Sequence, residues 1–224
     1  MTMIVELAED VYQICGYPRY AINSYVIDGI LIDAGTRFSG RRILRDIARL
    51  DIRAHAVTHA HPDHFGSSRR ICEELQIPLW VGHADAAAVE TLGIMYDRFP
   101  DHPAPRILSR LQGGPPTAVD RHLHEGDRVG SFVVLEVPGH TVGHLAFWRE
   151  SDRTLLLGDV ATGHHPFTGG RGLREPMDFL TADSRRNRES ITRLAGLEPD
   201  LVCFGHGPVL RDSDKFAEFA TSLR

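Results

Sequence analysis

The stretch Thr58-His59-Ala60-His61-Pro62-Asp63-His64 places four potential metal ligands within six residues. An apolar run, Ala54 to Thr58, leads into it and is expected to be a short strand. Pro62 interrupts regular structure, so the cluster is expected in a loop leaving that strand. His59 and His61 alternate, and in an extended backbone their imidazoles can converge. Beyond the turn at Pro62, Asp63 and His64 can face a neighbouring position. Neutral imidazole and carboxylate suit zinc, iron or manganese without any thiolate. A single histidine here would read as part of a solvated loop. Three histidines and an aspartate at this spacing point to a metal site once other strand ends add to them.

Those additions come from three places. Val137-Pro138-Gly139-His140-Thr141-Val142-Gly143-His144 is a glycine-flanked turn after an apolar strand. Leu155-Leu156-Leu157-Gly158-Asp159 ends a buried run with one carboxylate, and Leu201-Val202-Cys203-Phe204-Gly205-His206-Gly207-Pro208 ends another with one imidazole. A carboxylate at the mouth of an apolar strand is costly to bury without a cation. Strand ends from different sheets meet at one edge of a sandwich, where such ligands converge.

The rest of the 224 residues suits one sizeable α/β domain. Hydrophobic patterning predicts strands at Val11 to Cys15, Ile22 to Ile27, Ile30 to Ile32, Pro78 to Val81, Phe132 to Val137, Leu145 to Trp148 and Thr154 to Leu157. Asp28-Gly29 marks a hairpin turn. Helices are predicted over Ser39 to Leu50, Gly66 to Leu75, Asp183 to Leu194 and Lys215 to Leu223. Residues 84–117 read as a helical insertion over the core, broken by Pro100, Pro103 and Pro105 and ending in a loop, Gln112 to Thr117. Gly163 to Pro176 reads as a surface loop.

A net charge of −5 supplies no general attraction for nucleic acid or acidic membranes, so neither is expected as a partner. No apolar run is long enough to span a bilayer, and the opening Met1 to Asp10 stretch has no signal-peptide pattern. Cys15, Cys72 and Cys203 are scattered and odd in number, which argues against a disulfide framework and for a reducing, cytoplasmic setting. Each cysteine is expected to be a small buried apolar residue.

The ordered set HxHxDH, GH, GD and GHG, with Asn23-Ser24-Tyr25-Val26-Ile27 and Leu31-Ile32-Asp33-Ala34-Gly35 before it, closely resembles the metallo-β-lactamase-fold superfamily. The likeness runs from about residue 10 to 210. It implies a four-layer αββα sandwich with a dinuclear site at one edge. By that resemblance His59, His61 and His140 hold one divalent ion, and Asp63, His64 and His206 hold the other. Asp159 bridges the two. Zinc is the expected metal, with iron or manganese as alternatives.

The implied chemistry is hydrolysis. Two close ions lower the pKa of a shared water, and the resulting bridging hydroxide attacks a carbonyl or phosphoryl centre. A metal polarises the oxygen that gains charge. Asp63 and Asp159 are the candidate catalytic carboxylates: they orient the nucleophile, and which one passes a proton to the leaving group stays open.

The substrate is expected to be a small molecule with an ester, thioester or lactone bond. β-Lactam hydrolysis is disfavoured, because the best-known dinuclear β-lactamases of this fold use a cysteine on the second metal and no cysteine here stands in a ligand position. The glyoxalase II pattern carries a further histidine where this chain has Ala60, and the 18 residues after His206 leave no room for a glutathione-binding helical domain. An iron-dependent persulfide dioxygenase is the alternative, though it binds one iron and leaves several of these ligands unused. A non-enzymatic metal-binding module comes last, since structural zinc sites are closed and usually mononuclear. The oligomeric state is open.

Other residues carry weaker expectations. His144 is balanced between a pocket role and a structural turn. Asp33 is expected to hydrogen-bond a ligating imidazole. His164 and His165 read as solvated loop histidines. His55, His83, His102, His122 and His124 show no ligand pattern. Met95, Tyr96, Phe99, Ile107 and Leu108 are read as packing the insertion onto the core, with an apolar pocket wall as the alternative. Arg106, Arg110, Arg171 and Arg174 give only a weak pull for an acidic substrate.

Overall fold

The computed structural model describes residues 4–91, 103–165 and 169–223. Two twisted sheets form its centre. The first has seven strands in chain order: β1 (Ile4–Ala8), β2 (Val11–Cys15), β3 (Asn23–Ile27), β4 (Ile30–Ile32), β5 (Ala54–Val57), β6 (Leu79–Gly82) and β7 (Arg121–Leu123). β1 to β4 run antiparallel to their neighbours, and β4 to β7 run parallel. The second sheet combines β8 (Arg128–Val129), β9 (Phe132–Glu136), β10 (Leu145–Arg149), β11 (Thr154–Gly158) and β14 (Leu201–Phe204), in the order β14-β11-β10-β9-β8.

Strand alternation explains the layers. Ile30 and Ile32 face inward and Leu31 outward; Leu156 faces inward and Leu155 and Leu157 outward; Cys203 faces inward between Val202 and Phe204. The inward set from both sheets, including Val11, Ile27, Ala56, Phe132, Phe147 and Leu156, makes one core between them. On the outside of the first sheet, Ile14, Val26 and Leu31 meet Ile43 and Ile47 from α1 (Gly40–Asp46) and its C-terminal cap, and Ile71 from α3 (Ser68–Leu75). On the outside of the second, Leu155, Leu157 and Val202 meet Ile191 and Leu194 of α6 (Ser184–Ala195) and Phe216 and Ala220 of α7 (Ser213–Ser222). The result is the αββα sandwich.

Several local expectations need correction. Pro62 does not break structure: it opens the one-turn helix α2 (Pro62–Phe65), with His61 in extended backbone just before it. A helix's first residue needs no N–H partner, so proline fits there. Gly163 to Pro176 is not simply a surface loop; β12 (Thr162–His164) and β13 (Arg171–Arg174) pair within it as an antiparallel ribbon. α1 ends four residues short of Leu50. The strands β1, β7 and β8 were not expected. His55 is buried in β5, its ring between Leu31 O and Ser68 Oγ.

In the middle region, α4 (His83–Thr91) follows β6, and α5 (Pro103–Gln112) packs against α2. Ile107 is 53% exposed, so its side chain does not pack onto the core. Met95, Tyr96, Phe99 and His102 lie outside the described residues, as does the side chain of Leu108. Among the described residues, no helix is long and apolar enough to cross a membrane.

Candidate metal centre

The sheet topology decides where the polar strand ends go. β4, β5 and β6 are parallel, and β9, β11 and β14 also share one direction, because β10 is antiparallel to both β9 and β11. Their C-terminal ends therefore open on one edge of the sandwich. The two sheets are stitched there by Asn23 N–H to Gly205 O at 2.8 Å and Leu145 N–H to Thr58 O at 2.8 Å.

All seven residues singled out from the sequence meet at this edge. His59, His61 and His140 form one group of converging ligand atoms, and Asp63, His64 and His206 form another. Asp159 stands between them. Its Oδ2 lies 3.0 Å from Nε2 of His206, 3.4 Å from His64, 3.8 Å from His140 and 3.9 Å from His59. Asp63 Oδ2 is 3.3 Å from His206 Nε2.

Each imidazole with a described Nδ1 partner is turned by it. His59 Nδ1–H donates to Thr58 Oγ1 at 2.9 Å, and that hydroxyl donates onward to Asp33 Oδ2 at 2.9 Å. His64 Nδ1–H donates to Asp33 Oδ2 at 2.8 Å. His140 Nδ1–H donates to Thr181 Oγ1 at 3.1 Å, and Thr181 donates to Met177 O. His206 Nδ1–H donates to Ala21 O. In every case Nδ1 is turned outward to an acceptor and Nε2 points at the centre, the orientation a metal ligand requires.

This arrangement fits divalent cations on its own evidence. Among the described residues, Nε2 of His59 and of His140 and Oδ1 of Asp159 are buried without a hydrogen-bond partner. Such orphaned atoms are costly unless something accepts their lone pairs. Ligand atoms about 2.1 Å from a tetrahedral ion lie about 3.4 Å apart, close to the separations around Asp159.

The electrostatics agree. Burial, with His64, His144 and His61 nearby, holds His59 well below the usual imidazole range. Burial acts the same way on His140. At His206 burial also opposes charge, but Asp159 and Asp63 outweigh it and raise the imidazole to about 10. Burial likewise disfavours the Asp159 carboxylate, yet His206 and His64 hold it well below the usual range. The site is built to balance buried negative charge with positive charge.

Two glycines allow the close packing. A Cβ on Gly205 would come within 2.1 Å of Asp159 Oδ1 and 2.7 Å of His64 Cε1. Gly158 has φ +56, and a Cβ there would lie 2.7 Å from His144 Cε1.

His144 is a structural support of the centre. Its ring stacks on His59 at 4.6 Å and 15°, and its Nε2 accepts the Asp159 backbone N–H at 3.1 Å. His164 corrects the expectation of a solvated loop: it is 9% exposed, with its ring 6.2 Å from that of His206. Thr58, Thr181 and the Ala21 carbonyl were not legible as orienting groups, because nothing local marks a partner that is distant in sequence. Cys15 and Cys203 are buried as expected, and Cys72 is intermediate; none belongs to the ligand groups.

Comparison with known proteins agrees with the geometry. Over 197 residues the chain is 28% identical to the Bacillus subtilis (strain 168) protein named probable metallo-hydrolase YflN, covering 80% of this chain and 75% of that one. Over 187 residues it is 28% identical to the hydroxyacylglutathione hydrolase GloC of Haemophilus influenzae, covering 79% of each. The crystal structure of TTHA1623 in a di-iron-bound form superposes with a TM-score of 0.65 and 28% identity, covering 88% of this chain and 91% of that one. The profile of the metallo-beta-lactamase superfamily matches residues 17–206. With its αββα layers, its His/Asp groups at one sheet edge and metallo-hydrolases among its relatives, this chain belongs to the metallo-beta-lactamase superfamily.

Proposed function

We propose that the protein is a dinuclear metal-dependent hydrolase of a small ester, thioester or lactone. The observation that carries this reading is the position of Asp159 Oδ2, 3.0–3.9 Å from Nε2 of His206, His64, His140 and His59 and between two ligand groups. His59, His61 and His140 would hold one ion and Asp63, His64 and His206 the other, with Asp159 shared. Ions held there supply Lewis acidity and a nucleophile available at neutral pH.

The chain's own groups do the rest. Asp33, Thr58, Thr181 and Ala21 hold the imidazoles in one tautomer and orientation, so little reorganisation accompanies the reaction. Asp63 is the more open carboxylate, its side chain 20% exposed against 7% for Asp159. It is the group placed to orient the attacking water and to carry a proton towards the leaving group. Asp159, buried under four imidazoles, stays ionised and fixes the spacing between the groups.

Ester-type substrates are favoured by the likeness to a hydroxyacylglutathione hydrolase and a metallo-hydrolase. An all-His/Asp set suits zinc first, with iron and manganese also compatible. Unpaired Cys15, Cys72 and Cys203 support a reducing, cytoplasmic setting.

The test is metal content per chain in protein purified without chelator, run beside a panel of thioesters, lactones, simple esters and a chromogenic cephalosporin. About two ions per chain with turnover of one ester class is the expected result. One iron per chain, oxygen consumption and no hydrolysis would overturn it in favour of a dioxygenase.

A further inference from the structure

A second buried carboxylate beside the centre has no part in the chemistry above. Asp85 lies in the first turn of α4 and is fully buried. Its Oδ2 accepts the Ala60 N–H at 2.9 Å and the Thr141 hydroxyl at 2.6 Å; its Oδ1 accepts the Gly143 N–H at 2.9 Å.

The donors are placed informatively. Ala60 sits between His59 and His61 on the turn leaving β5 in the first sheet. Thr141 and Gly143 flank His140 and His144 on the turn between β9 and β10 in the second. One carboxylate therefore ties together the two loops that supply His59, His61 and His140. The contact is tight: a Cβ on Gly143 would come within 2.4 Å of Asp85 N and 2.8 Å of Asp85 Cβ. The two carboxylates divide the work. Asp33 orients the His59 and His64 rings through their Nδ1 side, whereas Asp85 grips backbone and hydroxyl and sets how far apart the loops stand. His61 and His140, whose rings lie 4.5 Å apart, come from opposite sides of that junction.

We propose that Asp85 is a positioning residue that sets the spacing between the His59–His61 pair and His140, and so the affinity of that three-histidine group for its ion. The proposal rests on the reading of this edge as a dinuclear centre. Asparagine at position 85 keeps the shape but has a single acceptor oxygen, so its amide must turn an N–H towards one of the three donors. The loops then shift where the three-histidine group is assembled, while Asp63, His64 and His206 keep their supports.

The experiment is a stepwise zinc titration of metal-free wild-type, D85N, H140A and H206A proteins against a chromogenic chelator, with the melting temperature of each metal-free protein as a control. Cobalt-loaded samples add a visible spectrum of the ligand field. Wild type should bind two ions. D85N should weaken one binding step by about 10- to 100-fold, the range seen when an outer support of a ligand is lost. That step should be the one H140A removes, and the step lost in H206A should be unchanged. The cobalt band belonging to the affected step should shift. Wild-type affinity at both steps in D85N would overturn the proposal. So would equal weakening of both steps together with a large fall in melting temperature, which would mark a general structural role. Failure of the wild-type protein to bind any ion would instead overturn the metal centre itself, and this inference with it.

Discussion

Nδ1 of His64 donates to Asp33 Oδ2 at 2.8 Å, and the same carboxylate accepts the backbone N–H of Thr58 at 2.8 Å. Asp33 thereby fixes an imidazole assigned to one ion and the start of the loop that carries the ligands of the other. It holds this place with φ +60, a conformation aspartate tolerates better than most residues. In Asp33→Asn the amide N–H meets donors it cannot accept from. Metal affinity and kcat are each expected to fall about 10- to 100-fold, read by chelator competition and steady-state kinetics. Unchanged metal content and rate would show that the Asp33 contact is incidental.

Asp159→Asn removes the charge shared by both groups: Nε2 of His59 and of His140 lose the carboxylate beside them, and Asp63 stays beside His206 and His64. The variant is expected to fold, because its neighbours are held by other partners. It should lose most of its bound metal and on the order of 100-fold or more in kcat/KM. Elemental analysis and circular dichroism together check this; a folded variant with full activity would sink the shared-ligand role.

Gly158→Ala tests the packing behind the centre. The residue has φ +56, and the added methyl would lie 2.7 Å from His144 Cε1 and 2.9 Å from Thr58 Cβ. Backbone strain plus overpacking should cost about 2–4 kcal/mol, measured as a shift of the urea midpoint at unchanged slope. Displacement of His144 should also disturb the Asp159 N–H contact and lower activity. A near-neutral variant would mean the His144 stack on His59 is loose.

The cysteines give a contrasting test. Burial pushes the Cys72 thiol up to about 12 and raises Cys15 and Cys203 as well. Reaction with iodoacetamide at pH 8 should be slow in the folded protein and fast in denaturant, since only thiolate reacts. Activity should survive treatment of the folded protein. Rapid labelling of one cysteine with parallel loss of activity would place a thiol in the working site.

The ligand motifs were legible because each is a polar break at the end of an apolar run. The short strands were not. β7, Arg121–Leu123, is three residues long with two polar side chains, and only pairing with β6 makes it a strand. The β12–β13 ribbon hides in a glycine-rich stretch for the same reason. Asp85 escaped notice inside a region that reads as an insertion, since its three donors lie 25 to 58 residues away. His164 read as solvated because its burial comes from distant chain.

By itself the sequence determined the ligand types, their order, the strands that deliver them and the absence of cysteine from the ligand positions, since these depend on spacing and side-chain chemistry within a few residues. The tertiary structure alone decided which imidazole nitrogen faces the centre, that Asp159 Oδ2 stands among four of them, and that Asp33 and Asp85 hold the loops. The reason is physical: hydrogen bonds and buried charges act over about 3–4 Å of space, and the partners come together only when two sheets, packed through one core, bring the C-terminal ends of their parallel strands to the same edge.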